Sequence, residues 1–133
     1  VESAAERNPE LLILGVTVLT SFDADSLAET GVELEPEWQV EKLAKLAVDS
    51  GLKGLVCSPL EIEGLRSILP EDTVLVTPGI RPSGSSADEQ KRIMTPADAA
   101  RAGSDFIVVG RPILKAENPA FAVSKILEEI ANA

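Results

Sequence analysis

Residues 74–82 of the sequence are Val74-Leu75-Val76-Thr77-Pro78-Gly79-Ile80-Arg81-Pro82. The first four are apolar or β-branched, without the polar and apolar alternation that marks a half-exposed strand. A short continuous run of this kind, followed at once by proline and glycine, is typical of a strand buried on both faces of a parallel sheet. These residues therefore predict an interior parallel strand that ends in a loop.

Three more apolar runs repeat this pattern, and each is followed by helical signals. With Val74–Thr77, the predicted strands are Leu11–Leu19, Gly54–Cys57 and Phe106–Val109. Helices are predicted near Asp23–Glu29, over Pro36–Ser50 with Gly51 as its stop, and after Ser58-Pro59-Leu60-Glu61, Thr95-Pro96 and Asn118-Pro119. The order is β-α-β-α-β-α-β-α, for which right-handed crossovers are expected. The predicted fold class is α/β.

The length of the chain limits how much of such a fold it can form. A complete (β/α)8 barrel, the TIM barrel, typically takes about 250 residues, whereas this chain has 133. We expect one domain over residues 1–133: a (β/α)4 half barrel with four parallel strands and flanking helices. Residues 1–9 lack an initiating Met and the pattern of a signal peptide, so we expect neither a natural start nor a leader here.

Composition excludes several classes of function. The chain has no histidine and one cysteine, Cys57, which rules out histidine-dependent triads and an internal disulfide, and no clustered metal-ligand spacing is present. A reducing, cytoplasmic location is the direct interpretation. The net charge of −10 argues against nucleic acid, and no apolar run is long enough to span a membrane. Any anion bound by this chain must be small and held by local donors.

Such donors follow the third and fourth predicted strands, where the loops of these folds carry function. Gly110-Arg111-Pro112 combines a glycine that admits an anion to the backbone with an arginine whose donors match phosphate oxygens. Arg81 follows the preceding strand and is positioned to reach the same anion. Its loop, Pro78–Met94, is long enough to predict a lid or ligand clamp, although a solvated insertion is the alternative.

Other polar residues give weaker signals. Thr20 and Ser21, at the end of the first predicted strand, are candidates for contact with a heterocycle, although Ser21 could instead cap the next helix. Gln90 and Lys91 lie on the long loop, where a solvent-facing role is the default for each taken alone. The carboxylates of Glu61, Glu63 and Glu128-Glu129 are expected on solvated helix faces.

Taken together, five strings resemble the orotidine 5'-phosphate decarboxylases, particularly the bacterial type, across strands five to eight of that barrel. They are Val16-Thr17-Val18-Leu19-Thr20-Ser21, Val56-Cys57-Ser58, Val76-Thr77-Pro78-Gly79-Ile80-Arg81-Pro82, Gln90-Lys91-Arg92-Ile93-Met94-Thr95-Pro96 and Val108-Val109-Gly110-Arg111-Pro112-Ile113. Their order and spacing cover nearly the whole chain. The resemblance implies a lyase that converts orotidine 5'-monophosphate to uridine 5'-monophosphate without metal or cofactor.

The resemblance also implies roles for individual residues. Thr20 would contact the pyrimidine, and Pro78 would begin the substrate-binding loop that closes over the phosphate. The 5'-phosphate would be bound by four residues: Arg81, Gln90, Gly110 and Arg111. The family's catalytic Lys/Asp/Lys/Asp network has no match, because the motif Asp-x-Lys-x-x-x-x-Asp is nowhere in this sequence. No catalytic residue is therefore assigned to this chain, which is expected to be inactive alone.

Three functions follow from these expectations. The chain is part of a decarboxylase completed by a complementary half barrel; or it is an isolated module that binds phosphate or nucleotide without turnover; or it is a scaffold whose two unpaired sheet edges drive self-association, for example as a dimer. Other phosphate-binding barrels are disfavoured by the Leu-Thr-Ser and Thr-Pro-Gly-Ile-Arg strings.

Overall fold

The structure, a computed structural model, describes residues 1–82 and 92–133. Within these ranges four strands form one parallel sheet in the order β1-β2-β3-β4. They are β1 (Leu14–Val16), β2 (Gly54–Val56), β3 (Val74–Thr77) and β4 (Phe106–Ile107). Gly54 pairs with both Leu14 and Val74, and Val76 pairs with Phe106. The predicted α/β architecture of four parallel strands with flanking helices is confirmed.

Helices alternate with the strands as the capping signals predict. They are α1 (Glu2–Arg7), α2 (Ala24–Ala28), α3 (Pro36–Asp49), α4 (Ile62–Ile68, after a 3-10 turn at Pro59–Glu61), α5 (Pro96–Ala102), α6 (Arg111–Leu114) and α7 (Pro119–Ala131). Ser58, Thr95 and Asn118 each accept a backbone hydrogen bond at a helix start. Gly51, at φ +87°, ends α3 as predicted. None of the described helices combines the length and apolar character that a membrane crossing requires.

The first strand is shorter than its apolar run. The predicted strand Leu11–Leu19 contains only three strand residues, Leu14–Val16. Within the described part of the chain, β1 lies at the edge of the sheet and has one hydrogen-bonded neighbour, β2. Apolar character predicts burial but does not fix the length of a hydrogen-bonded ladder, so the flanking residues continue as loop.

The core lies between the outer face of the sheet and helices α3 and α4. Gly15 faces this layer, because a Cβ built on it would lie 3.4 Å from Ala47 Cβ of α3. Alternation along the strands puts Leu55, Cys57 and Leu75 on the same face, and all three are buried. Val40 and Ala44 of α3 and Ile62 and Leu65 of α4 complete the main part of this cluster.

The opposite, inner face of the sheet is apolar and open. Alternation places Leu14 and Val16 on this face, and the register aligns Val16 with Val56, Val76 and Phe106. Val16 is 58% exposed and Phe106 is 59% exposed. In a closed barrel this is the face that fills the interior with layered side chains. We name these residues, with Val108, the inner face.

At the amino-terminal end of the sheet, one arginine links three elements. Arg66 of α4 donates to the carbonyl of Gly103 from Nε (3.0 Å) and to that of Thr73 from Nη1 (2.7 Å). It also pairs with Asp105, whose Oδ2 accepts the Leu75 N–H at 2.7 Å. This end of the sheet is therefore held by polar contacts and serves stability, which leaves the carboxyl end for function.

Cys57 is buried in the core at 1% exposure, as its apolar surroundings predict. Burial raises the pKa of its thiol to about 11, an effect that the positive charges of Arg66 and Arg92 partly oppose. The folded protein therefore keeps a proton on Cys57 over a pH range in which the unfolded chain loses it.

We expect the free energy of unfolding to fall between pH 9 and pH 11, the range that separates the two thiol pKa values. In this range the native state binds more protons than the unfolded state, so raising the pH favours unfolding, by about 2 kcal/mol at most. Urea unfolding of the wild-type protein and of Cys57→Ala at both ends of this range measures the effect. The variant should lose less stability than the wild type, and equal losses would contradict the assignment.

Candidate functional site

The carboxyl ends of β3 and β4 lie side by side. The Val108 N–H donates to the Thr77 carbonyl at 2.9 Å, so the two chains leave the sheet as neighbours. Pro78 follows β3 directly, and Gly110 follows the residues after β4. The two predicted anion-binding segments therefore begin next to each other, as the parallel topology requires.

Arg81 is buried close to this edge of the sheet, at 7% exposure. Its Nη1 donates to the carbonyl of Ile80 at 2.8 Å. Its backbone N–H donates to the Met94 carbonyl at 2.9 Å, and Ile80 and Met94 form a parallel bridge. The two ends of the Pro78–Met94 loop are thus held together. Gln90, like the rest of residues 83–91, lies outside the described part of the chain, so its predicted role stays a prediction.

Gly110 caps a short helix, α6, which begins at Arg111. The Ile113 N–H donates to the Gly110 carbonyl at 3.0 Å and forms the first turn. A Cβ added at Gly110 would meet no atom of the described chain within 4 Å, so packing among the described residues does not explain this glycine. Its predicted role in the approach of an anion stays a prediction.

Thr20 lies in the loop after β1, four residues beyond the end of the strand and not at the strand end itself as predicted. It is buried, at 6% exposure, and Ser21 beside it is half-buried. The cap of α2 is Asp23, whose side chain accepts the Ser26 N–H at 3.0 Å, so Ser21 does not have the capping role considered for it. The Thr20 side chain lies beside Gly79, in the turn after β3.

Gly79, in the turn after β3, lies close to Arg92, Thr20 and Pro59. It adopts φ +83°, and a Cβ at this position would lie 2.8 Å from the Arg92 carbonyl and 3.4 Å from Thr20 Cγ2. Pro59 Cδ, from the loop after β2, lies at 3.6 Å. Loops that follow three different strands thus converge on one glycine that has no room for a side chain.

Replacing Gly79 with alanine should destabilise the protein by about 2 kcal/mol, because alanine is strained at positive φ and its methyl group would clash with backbone. Urea unfolding measures the change. Gly64→Ala is the matched control, since Gly64 lies inside α4 with open space around it and alanine favours helix there. The control should be neutral or stabilising, and equal destabilisation by the two substitutions would contradict the packing at Gly79.

Glu61 and Arg92 form a buried ion pair that was not predicted. The expectation that Glu61 is solvated is wrong: its side chain is 4% exposed, that of Arg92 is 11% exposed, and the Arg92 Nη1 contacts Glu61 Oε1. The cause is the capping box, because Glu61 Oε2 turns back to accept the Ser58 N–H at 2.8 Å. The predicted capping box was the signal that could have revealed this orientation.

The arrangement is suited to binding a small anion. Among residues 1–82 and 92–133, no group of three or more histidine, cysteine or acidic side chains is placed to hold a metal ion. The two arginines and the glycine at adjacent strand ends instead offer charged and backbone donors, which phosphate oxygens accept well. A cleft of about 400 Å³ beside Leu11, Gly51 and Lys53 lies at the opposite end of β1, where such folds seldom carry chemistry.

Comparison with known proteins identifies the family. Residues 1–126 match the model of the orotidine 5'-phosphate decarboxylase / HUMPS family. The chain is 62% identical over 125 residues to an orotidine 5'-phosphate decarboxylase of Opitutus terrae, covering 94% of this chain and 54% of that protein. It is 55% identical over 130 residues to the one from Gluconobacter oxydans, covering 98% of this chain and 54% of that protein.

A solved structure extends the likeness to the fold. The crystal structure of orotidine 5'-phosphate decarboxylase from Lactobacillus acidophilus matches with a TM-score of 0.72 and 42% identity, over 88% of this chain and 48% of that one. The chain thus spans about half the length of the relatives it matches. Its identity to them, its half-barrel fold and its family match agree, and the chain belongs to the orotidine 5'-phosphate decarboxylase / HUMPS family.

Proposed function

We propose that this chain supplies the phosphate- and pyrimidine-binding half of an orotidine 5'-phosphate decarboxylase, which forms uridine 5'-monophosphate in pyrimidine biosynthesis. The observation that carries the proposal is the placement of Arg81 and Gly110-Arg111 after neighbouring parallel strands. In a chain with a net charge of −10, donors concentrated at one edge of the sheet select a small anion over a polyanion.

In this proposal the 5'-phosphate is bound by Arg81, Gln90, Gly110 and Arg111. Thr20 contacts the pyrimidine, and Pro78 starts the substrate-binding loop. Binding energy from a phosphate far from the reacting carbon can be used to position the pyrimidine and to close the site. These residues bind and orient the nucleotide, and no metal or organic cofactor is needed for their role.

The chemistry belongs to the complementary half of the barrel. Loss of carbon dioxide from the pyrimidine leaves a carbanion that must be protonated, and membership of the family implies a lysine flanked by aspartates for this step. The motif Asp-x-Lys-x-x-x-x-Asp that would carry these groups is missing from the sequence. The chain alone is therefore expected to bind nucleotide without turnover.

The exposed inner face supports the proposal that a complementary half barrel completes the enzyme. Four apolar side chains of this face are exposed, those of Leu14, Val16, Phe106 and Val108. The edges of β1 and β4 have no strand partner among the described residues. A complementary half barrel of four strands would cover the inner face and pair with both edges, as barrel closure requires. The completed enzyme would act in the cytoplasm.

A second candidate rests on the same inner face. Two copies of this chain could pair β1 of one with β4 of the other and close a pseudo-barrel that binds phosphate or nucleotide without turnover. The solution mass separates the two candidates. Self-association of the purified chain favours the second copy, whereas a monomer that associates only with the missing half favours the enzyme.

Titration of the chain with uridine 5'-monophosphate and with uridine, followed by amide chemical shifts, tests the proposed binding. We expect the nucleotide to bind at least about tenfold more tightly than the nucleoside, because charge-assisted hydrogen bonds to the phosphate are lost in uridine. Shifts should be concentrated around Thr20, Arg81 and Arg111. Equal affinities for the two ligands, or no binding of either, would contradict the proposal.

A further inference from the structure

We propose that Arg92 is a positioning residue that fixes the pyrimidine-binding part of the site through Glu61, and this inference rests on the proposed function. Arg92 lies near the end of the Pro78–Met94 loop, where it contacts Gly79, Glu61 and the backbone before Thr20. Through these contacts Arg92 holds the backbone that leads to Thr20.

The Arg92 side chain contacts the backbone that leads to Thr20. Arg92 Nη2 donates to the carbonyls of Val18 at 3.1 Å and of Leu19 at 2.9 Å. Leu19 is the residue directly before Thr20, so the guanidinium fixes the peptide that presents Thr20. A planar guanidinium does this with two donors in one plane, a geometry that lysine cannot reproduce.

The guanidinium group of Arg92 is itself held in place by Glu61. Nη1 contacts Glu61 Oε1, while Glu61 Oε2 accepts the Ser58 N–H at 2.8 Å, so the carboxylate is held from both sides. The pair is nearly withdrawn from solvent, and burial is the main cause that lowers the pKa of Arg92. A buried pair is weak evidence for stability, since desolvation offsets much of its attraction, but it defines geometry sharply.

The backbone at Arg92 also lies against the turn that carries Arg81, the candidate phosphate donor. The Arg92 carbonyl packs against Gly79, and two residues later the Met94 carbonyl accepts the Arg81 N–H at 2.9 Å. The backbone of Arg92 therefore runs along the turn that carries Arg81, while its side chain reaches the peptide before Thr20. One residue thereby links the candidate phosphate donor to the candidate pyrimidine contact.

The test compares two ligands that share a phosphate but differ in the base. Uridine 5'-monophosphate needs both ends of the site, whereas ribose 5-phosphate needs only the phosphate end. Replacing Arg92 with methionine should lower the affinity for the nucleotide about tenfold more than the affinity for ribose 5-phosphate. General destabilisation of the fold would lower the affinities for both ligands to a similar degree.

Conservative variants and a control sharpen the comparison. Arg92→Lys keeps the charge but not the planar fork, and should recover only part of the selectivity for the nucleotide. Glu61→Gln, which keeps an acceptor for Ser58, should reduce the same selectivity and also replaces Arg92→Met if that variant does not fold. Arg101→Met is the matched control, because Arg101 pairs with Asp98 on the exposed surface of α5 and should change neither affinity.

The outcomes separate the two proposals. If the wild-type chain binds the nucleotide and the ratio of the two affinities is unchanged in all Arg92 and Glu61 variants, the positioning role is overturned and the proposed function stands. If the wild-type chain binds neither ligand, both are overturned.

Discussion

Replacing Arg111 with alanine should weaken binding of uridine 5'-monophosphate by about a hundredfold, the effect of losing charge-assisted hydrogen bonds to a phosphate. Arg111 opens α6 next to Gly110, at the end of the fourth strand, and its side chain is half-buried. Because the chain is strongly acidic, few other positive groups can take the place of Arg111 in binding the phosphate. Titration of the wild-type protein and the variant gives the ratio directly.

Two controls make this result specific to the phosphate. Binding of uridine should change little in Arg111→Ala, since the nucleoside has no phosphate to lose. Arg101→Ala removes an equal charge from an exposed surface pair and should leave nucleotide affinity within about twofold of wild type. A nucleotide affinity that survives in Arg111→Ala, or falls equally in Arg101→Ala, would remove Arg111 from the site.

The largest effect on assembly is expected from a charge placed on the inner face. Phe106→Asp should abolish association with the complementary half barrel, because an unpaired carboxylate would be buried on closure, at a cost of several kcal/mol. The isolated chain should keep most of its stability, since Phe106 is already 59% exposed there. Sedimentation of the chain mixed with the part of the Opitutus terrae relative that it does not cover measures the association.

Leu46→Asp is the matched control for this substitution. Leu46 is 64% exposed, but it lies on α3, on the opposite side of the sheet. It should leave the association intact. If both substitutions weaken the complex equally, or if neither does, the inner face is not the closing surface.

The sequence was sufficient to predict the order of strands and helices because the local signals were strong. Gly51 and the capping residues Ser58, Thr95 and Asn118 all act where the patterns place them. The length of β1 was not predictable, because Leu11–Leu19 is apolar throughout and the ladder depends on which neighbours an edge strand has. Hydrogen-bonding partners of that kind are set by tertiary structure.

The candidate site shows the same limit at the level of side chains. The placement of Arg81, Gly110 and Arg111 after strands could be predicted, because each follows an apolar run, and their role in binding stays a prediction. The pair of Glu61 and Arg92 joins segments 31 positions apart in sequence, whereas a carboxylate near a helix start is most often solvated. Local patterns do not report which distant side chain a capping glutamate contacts, so a role for Arg92 does not follow from the sequence.

The assay that bears most directly on the central claim is decarboxylation of orotidine 5'-monophosphate by the chain alone and by the chain mixed with the uncovered part of the Opitutus terrae relative. The chain alone should bind nucleotide and show no turnover. The mixture should release carbon dioxide and uridine 5'-monophosphate, and the activity should fall when Arg111 is replaced with alanine. Turnover by the chain alone, or an inactive mixture in which the two parts have associated, would contradict the account.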